Sequence, residues 1–510
     1  MKETIRRQLT SMKGKIAARL ELVEGGREPR SPGRPELTPT GIDYEVGTRT
    51  QATSSGGIGA MLKLAKKVGL IAGIDERLKL LKRHRPYAVS DHVSNIALNL
   101  LAGGQVLDDI EIRRNDAAFL DSVGARTIPD PTTAGDFCRR FSADDIERLM
   151  DIINASRLNV WARQSSSFFD EIACIEADGT IVGTEGECKQ GMDMSYKGQW
   201  GYHPLVVSLA NTKEVLYIAN RPGNRPSEEG AAAYFDRAID LCRSGGFKRI
   251  RLRGDTAFSQ VAHLDRWDAA RVGFVFGYDA FKGLVGYANG IDDDEYRELV
   301  RRTERTFDEV ETRAKQPRVK DSIVRERGYL KQSLVYEDVT EFPYQPGPCR
   351  RPYRMIALRK LISEERGQLL LDVKTRYFFY ITNDESLTPE QVVREANQRC
   401  DQENLVAQLK AVGALTAPLN TLGANWAYMV IASLAWTLKQ WFALMSPVNK
   451  RHRKQHEEDK ARVARMEFRT FLQRFILVPA QILRSGRRLI HRILAWRPEL
   501  PFFFRTLDAL

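Results

Sequence analysis

The sequence predicts an α/β protein: a mixed core that carries a β-rich insertion, preceded by a helical region and followed by a basic helical tail. Three observations lead to this. From Phe168 the apolar pattern changes from a helical period to short β-type runs, in the order three strands, helix, strand, helix, strand. A long strand-rich excursion then interrupts the series. A strongly marked helix resumes it at Thr388-Pro389, where a capping threonine, a proline at the first helical position and Gln391 form a start signal.

In chain order, residues 1–58 read as a basic helix followed by a flexible arm. Gly25, Gly26, Pro29, Pro32, Pro35 and Pro39 break regular structure there, and the arm is expected to be partly disordered. Residues 59–163 read as helical. Met61, Leu62, Leu64, Val68, Leu70 and Ile71 form one apolar stripe, and Ser90 or Asp91 caps a helix that stops at Gly103-Gly104. Short helices carrying Arg139 and Arg140 suit DNA docking and a plain bundle equally well. The first part of the core, 164–278, holds strands at Ile172–Asp178, Pro204–Ala210, Glu214–Ala219, Arg249–Arg253 and Gly273–Gly277, the second and third joined as a hairpin by Asn211-Thr212-Lys213. The insertion spans 279–385. The core resumes over 386–446, with one helix expected from Pro389 to about Ala411. Residues 447–510 form the basic tail: 14 Lys and Arg stand against 5 Asp and Glu over 450–499, and Phe468, Phe471, Phe475 and Ile476 recur at a spacing that suits core packing.

Composition narrows the function. The chain has 510 residues, enough for about two to four domains. A formal charge of +12 favours a polyanionic partner, nucleic acid before a membrane surface. The six cysteines are scattered without a CxxC pair, which argues against a structural zinc site and a disulfide framework and suits a reducing cytosol. Met1–Lys15 lacks the apolar run of a signal peptide. Ala424–Met445 is nearly all apolar, but Asn425, Lys439 and Gln440 interrupt it, so it reads as a buried core helix rather than a membrane span. P-loop, GxGxxG and HExxH patterns are absent.

The chemistry lies in three acids. Asp178 ends the first strand and Asp255 follows the fourth. Singly, each is a turn residue. In a sheet of this order, however, the first and fourth strands are expected to be neighbours, and a late helix can bring Glu403 across them. Three crowded carboxylates stay ionised at low cost only around cations. Hard oxygen ligands suit Mg²⁺, with Mn²⁺ as a substitute, and two ions about 3.5–4 Å apart would activate a nucleophile and stabilise the leaving oxygen of a phosphodiester. Arg399, Glu403 and Lys410 fall within roughly 40° of arc on one helical stripe, so the two cations can hold phosphates on either side of the acid. Alone, that stripe would be an ordinary solvated salt-bridge ladder.

The motifs Ala177-Asp178-Gly179-Thr180, Tyr196-Lys197-Gly198-Gln199-Trp200-Gly201-Tyr202-His203-Pro204, Arg221-Pro222-Gly223-Asn224, Arg253-Gly254-Asp255-Thr256 and Arg399-Cys400-Asp401-Gln402-Glu403-Asn404 resemble those of DDE insertion-sequence transposases, specifically the IS-thirteen-eighty group of the IS-four-like superfamily. Arg399, Glu403 and Lys410 match the R-E-K part of that superfamily's signature, while Ala396 stands where the signature has a tyrosine. The resemblance implies an RNase H-like catalytic core, with Asp178, Asp255 and Glu403 as catalytic residues and metal ligands. It implies double-stranded DNA as partner, both as terminal inverted repeats and as target, a homodimer on that DNA, and a bacterial cytoplasmic, nucleoid-associated location. Arg399 and Lys410 are the expected phosphate contacts. Arg221 and Asn224 are weaker candidates whose default is a turn role, and Trp200 and Tyr202 are expected to pack the hairpin beside the site. His203 reads as a hydrogen-bonded structural histidine. No tryptophan lies between Trp267 and Trp426, so the insertion offers no basis for a hairpin mechanism. A structure-specific Mg²⁺-dependent nuclease and an inactivated DNA-binding derivative are the alternatives.

Overall fold

The computed structural model describes residues 2–25, 42, 44, 51–81, 86–299, 323, 326, 327, 330–366, 369–486 and 488–510. The expected disorder of the arm concerns residues 26–41, 43 and 45–50, which lie outside them.

Among the described residues the main sheet has nine strands. At one end lie Glu214–Ala219, Leu205–Leu209, Ile172–Gly179, Arg249–Gly254 and Val272–Tyr278, in that spatial order. The first three are antiparallel neighbours, and Arg249–Gly254 and Val272–Tyr278 run parallel to Ile172–Gly179. The helix Ala231–Gly245 provides the crossover to the first of these parallel strands.

The insertion extends this sheet. Leu330–Tyr344, Tyr353–Arg366 and Leu369–Thr382 form a long antiparallel meander, and the last strand pairs with Val272–Tyr278 through Phe379–Thr382. The sequence suggests two short strands at Leu369–Val373 and Arg376–Thr382. The intervening Lys374-Thr375 continues the pairing with Leu361 and Ile362, making one strand.

The long helix Leu422–Leu444 is buried along almost its whole length, which explains its apolar sequence: it packs against helices Val89–Leu101 and Ala143–Trp161 and against strand Glu214–Ala219. No helix among the described residues is long and apolar enough to cross a membrane. A fully buried carboxylate ties helices to sheet. Glu214 accepts from Arg157 Nε at 2.9 Å, Trp161 Nε1 at 2.9 Å, Trp441 Nε1 at 2.7 Å and Thr212 Oγ1 at 2.6 Å. Its charge is paired and its lone pairs are used, as burial requires.

The tail is helical as expected except for one hairpin. After helix Arg453–Arg465 and a helical stretch over Phe468–Ile476 with Phe468, Phe471, Phe475 and Ile476 buried, the chain forms a hairpin, Ala480–Ser485 with Arg488–Ile493, which pairs with Gln51–Thr53 and is followed by helix Leu500–Ala509. Arg484, Arg488 and Arg492 lie on this hairpin. Ala480 and Ile482 are buried at alternate positions, and partners remote in sequence satisfy the strand edge.

Lys439 is completely buried in the long helix, donating to the Ala464 carbonyl at 2.6 Å and lying 4.4 Å from the Trp436 ring centre. Burial, helped by the charge of Lys213, pushes its ammonium down to about 7. Between about pH 7 and 10 the unfolded chain therefore holds a proton that the folded chain does not, and this site's contribution to stability rises with pH. Lys439→Met is expected to raise the urea midpoint at pH 6 and to lose that advantage progressively toward pH 10; a gain independent of pH would contradict a displaced titration.

Candidate active site

The Asp178 and Asp255 positions follow from one strand register. Ile172–Gly179 and Arg249–Gly254 are parallel, with Glu176 paired to Arg253 and Cys174 to Arg251. Side chains alternate faces along a strand, so Asp178, two residues after Glu176, and Asp255, two after Arg253, leave on the same face. Beneath them Arg253 Nε bonds Glu176 Oε1 at 2.6 Å, with both side chains almost wholly buried. Beyond the strand end, Asp255 caps its own short turn by accepting from Ala257 N at 3.0 Å. Gly277 on the adjacent strand leaves room for that turn: a Cβ there would lie 2.8 Å from Thr256 N.

The third acid arrives on a broken helix. The single helix expected from Pro389 to Ala411 is two, Pro389–Asn397 and Cys400–Ala411. The same Arg253 accounts for the break. Its Nη1 takes the Glu395 carbonyl at 3.1 Å, the acceptor that a continuous helix would offer to Arg399, and also bonds Gln398 Oε1 at 2.9 Å. The Arg399 N–H bonds Ala396 O instead. The second helix is clamped to the sheet by buried Gln402, whose Nε2 donates to Val206 O at 3.0 Å and whose Oε1 accepts from Ser208 Oγ. Leu405, Val406 and Leu409 bury its inner face.

Glu403 and Arg399 are thereby set at the edge where the aspartates emerge. Arg399 Nη1 lies 3.4 Å from Glu403 and 3.8 Å from Asp255, a cation between two of the three acids. Asp178 is pushed up to about 7, first by burial and then by the charge of Asp255, with Glu403 adding to the repulsion and Arg399 opposing it. Asp178, Asp255, Arg399 and Gln402 line one small cleft with Glu176 and Arg253 at its base. Lys410 donates to Ile181 O at 2.8 Å just past the Asp178 strand; burial lowers its pKa and Asp178 opposes that effect. Among the described residues no three acid, histidine or cysteine side chains are closed into a ready metal cage. The mutual repulsion around Asp178, relieved in part by Arg399, is nonetheless the electrostatic setting in which a divalent cation is favoured.

A family model, transposase DDE domain group 1, matches residues 47–510. The chain belongs to this DDE transposase family. No curated protein matches the sequence. A solved structure described as a piggyBac transposase synaptic complex with hairpin DNA is similar at 12% identity and a TM-score of 0.34, covering 81% of this chain and 88% of that one.

The other predicted residues of this DDE-family chain have surroundings of their own. Arg221 is buried, and its guanidinium donates to the carbonyls of His203, Ser227 and Glu229 at 2.9, 3.2 and 2.6 Å, so it fastens its own loop. Asn224 is exposed on that loop. His203 is buried with Nδ1 2.7 Å from Arg225 O, and burial lowers its pKa. Ala396 is buried under the first helix half.

Sequence reasoning missed Glu176, Arg253, Glu395, Gln398 and Gln402, which position the acids. A signal was present: Arg249, Arg251 and Arg253 alternate within a central strand that should be apolar, and Glu176 shares the parity of Asp178. Removing one partner of a buried pair leaves the other uncompensated. Arg253→Met is expected to cost about 3–5 kcal/mol in urea unfolding, with Glu176→Met in the same chain restoring a large part. A single-variant loss below about 1 kcal/mol would refute the role of this pair.

Proposed function

We propose that the protein is a DNA transposase of the IS-thirteen-eighty type. It binds the terminal inverted repeats of an insertion sequence, hydrolyses a phosphodiester at each end and transfers the freed 3′-OH ends to target DNA. The observation that carries this reading is the adjacency of Asp178 and Asp255 on neighbouring parallel strands with Glu403 brought over them by a clamped helix. The order of the five core strands supports an RNase H-like core.

Asp178, Asp255 and Glu403 would hold the divalent cations, Mg²⁺ or Mn²⁺, which when bound activate the attacking oxygen and stabilise the leaving one. Arg399 neutralises Asp255 and Glu403 in the free protein, and a DNA phosphate competes for its guanidinium, freeing both carboxylates toward the cleft. Lys410 supplies a second phosphate contact on the far side. In the first step water attacks phosphorus and the bond to the 3′ oxygen breaks, leaving a 3′-OH and a 5′-phosphate. In the second, that 3′-OH attacks a target phosphodiester and displaces its 3′ oxygen. Two ends must be handled together, so a homodimer on DNA is the working unit, in the bacterial cytoplasm at the nucleoid.

Asp178→Asn, Asp255→Asn and Glu403→Gln are each expected to lower Mg²⁺-dependent strand cleavage by about two orders of magnitude or more while DNA binding in EDTA persists. Near-normal cutting by any one removes that residue from the site. Cleavage without joining of the cut ends to a second duplex would favour the structure-specific nuclease.

A further inference from the structure

The tail hairpin, Ala480–Ser485 with Arg488–Ile493, has one face seated on the protein and one face free. Cross-strand partners share a face, so the ladder sorts the side chains into two sets. The pairs Ala480–Ile493, Ile482–His491 and Arg484–Leu489 make up the seated face. There Ala480 and Ile482 are buried, His491 Nδ1 lies 3.2 Å from Gly56 O, and Arg484 forms an ion pair with Asp121 of helix Ala117–Val123. The pairs Gln481–Arg492, Leu483–Ile490 and Ser485–Arg488 make up the other face. Arg488 and Arg492 are exposed there without a carboxylate partner among the described residues, and Ile490 between them is 44% exposed. Arg492 Nη1 donates to Gln481 Oε1 at 3.3 Å, which holds the two polar side chains abreast. Among the described residues Gln51–Thr53 covers only Ala480–Ile482. Beyond Ile482 the hairpin is therefore a two-stranded ribbon, turning at Gly486 with φ +57°.

We propose that this ribbon is a sequence reader that enters the DNA major groove of the element's terminal repeat, with Arg488, Arg492 and Gln481 directed at base edges. Two strands about 4.8 Å apart fit a groove about 12 Å wide, which admits a two-stranded ribbon. The free face holds no acid, so its charge selects a polyanion. Its other side chains select bases over phosphates. An arginine fork suits guanine O6 and N7, a glutamine amide suits adenine N6 and N7, and the exposed aliphatic centre at Ile490 suits a thymine methyl. Phosphate contacts alone would use the two arginines and leave that centre against water. A peptide strand added along the open edge of Arg488–Ile493 would pair with backbone groups and leave this face unused. The ribbon is also held firmly enough to read a register, because Arg484 and His491 fasten its seated face. The proposal rests on the reading of the protein as a transposase that recognises the ends of its element.

The test uses the full-length protein in EDTA, so that binding is scored without cutting. The probe is a pool of duplexes randomised in sequence, from which bound molecules are selected. Wild type is expected to enrich one motif and to bind it about a thousandfold tighter than a scrambled duplex. Arg488→Ala and Arg492→Ala should each lose about tenfold or more on the enriched duplex. Both should bind the scrambled duplex nearly as before, which also shows that they are folded. Arg492→Lys keeps the charge without the fork and should lose about as much on the enriched duplex. Replacing guanine by its deaza analogue, which lacks the N7 acceptor, should weaken wild type at one position of the motif and leave Arg492→Ala indifferent there. Equal losses on both duplexes would reduce the ribbon to a phosphate contact and overturn the proposal. Enrichment of the unchanged motif by both alanine variants would overturn it while end recognition stands. Enrichment of no motif by wild type would sink end recognition itself, and the ribbon with it.

Discussion

The site depends on the pairing of Glu176 with Arg253 across two parallel strands. A buried ion pair is a poor source of net stability, because desolvation offsets most of the attraction. Its effect here is on register. A slip by one residue would send Asp178 to the opposite face of the sheet. A slip by two would set Glu176 opposite Arg251 or Asp255 instead of Arg253 and would separate Asp178 from Asp255. The register that opposes Glu176 to Arg253 is the one that places Asp178 beside Asp255.

The same guanidinium extends this constraint to the third acid. Arg253 reaches Glu395 and Gln398, and by taking the Glu395 carbonyl it ends one helix and lets the next begin at Cys400. Arg251, two residues earlier and on the same face, pairs with Asp384 and Glu395 and anchors the approach to that helix. Two segments far apart in the chain, one at Glu176 and one over Asp384–Gln398, therefore converge on two arginines of one strand. Arg399 stands above this buried layer, partly exposed and able to exchange its carboxylate partners for phosphate.

The insertion and the helical region are continuous with the core. The long meander joins the sheet by backbone pairing to Val272–Tyr278, and Glu214 joins strand, loop and two helices through a single carboxylate. Surfaces that would meet DNA on either side of the acids are therefore mounted on one packed body, which favours a fixed spacing between phosphate contacts and the cut.

The sequence by itself determined the α/β alternation, the strand-end positions of Asp178 and Asp255 and the start of the late helix, because each has a local signature: period two, a strand-terminal Asp, a capping threonine before proline. It determined the buried nature of Leu422–Leu444 through the same patterning. Only the tertiary structure decided that the late helix breaks at Gln398-Arg399, that the basic tail closes into a hairpin against Gln51–Thr53, that Arg221 fastens its own loop, and that Trp200 faces solvent while Tyr202 does not. Each of these turns on a partner remote in the chain: an arginine taking a helix carbonyl, a strand edge needing its ladder, carbonyls surrounding a guanidinium. Local propensity carries no record of such partners until the chain is folded.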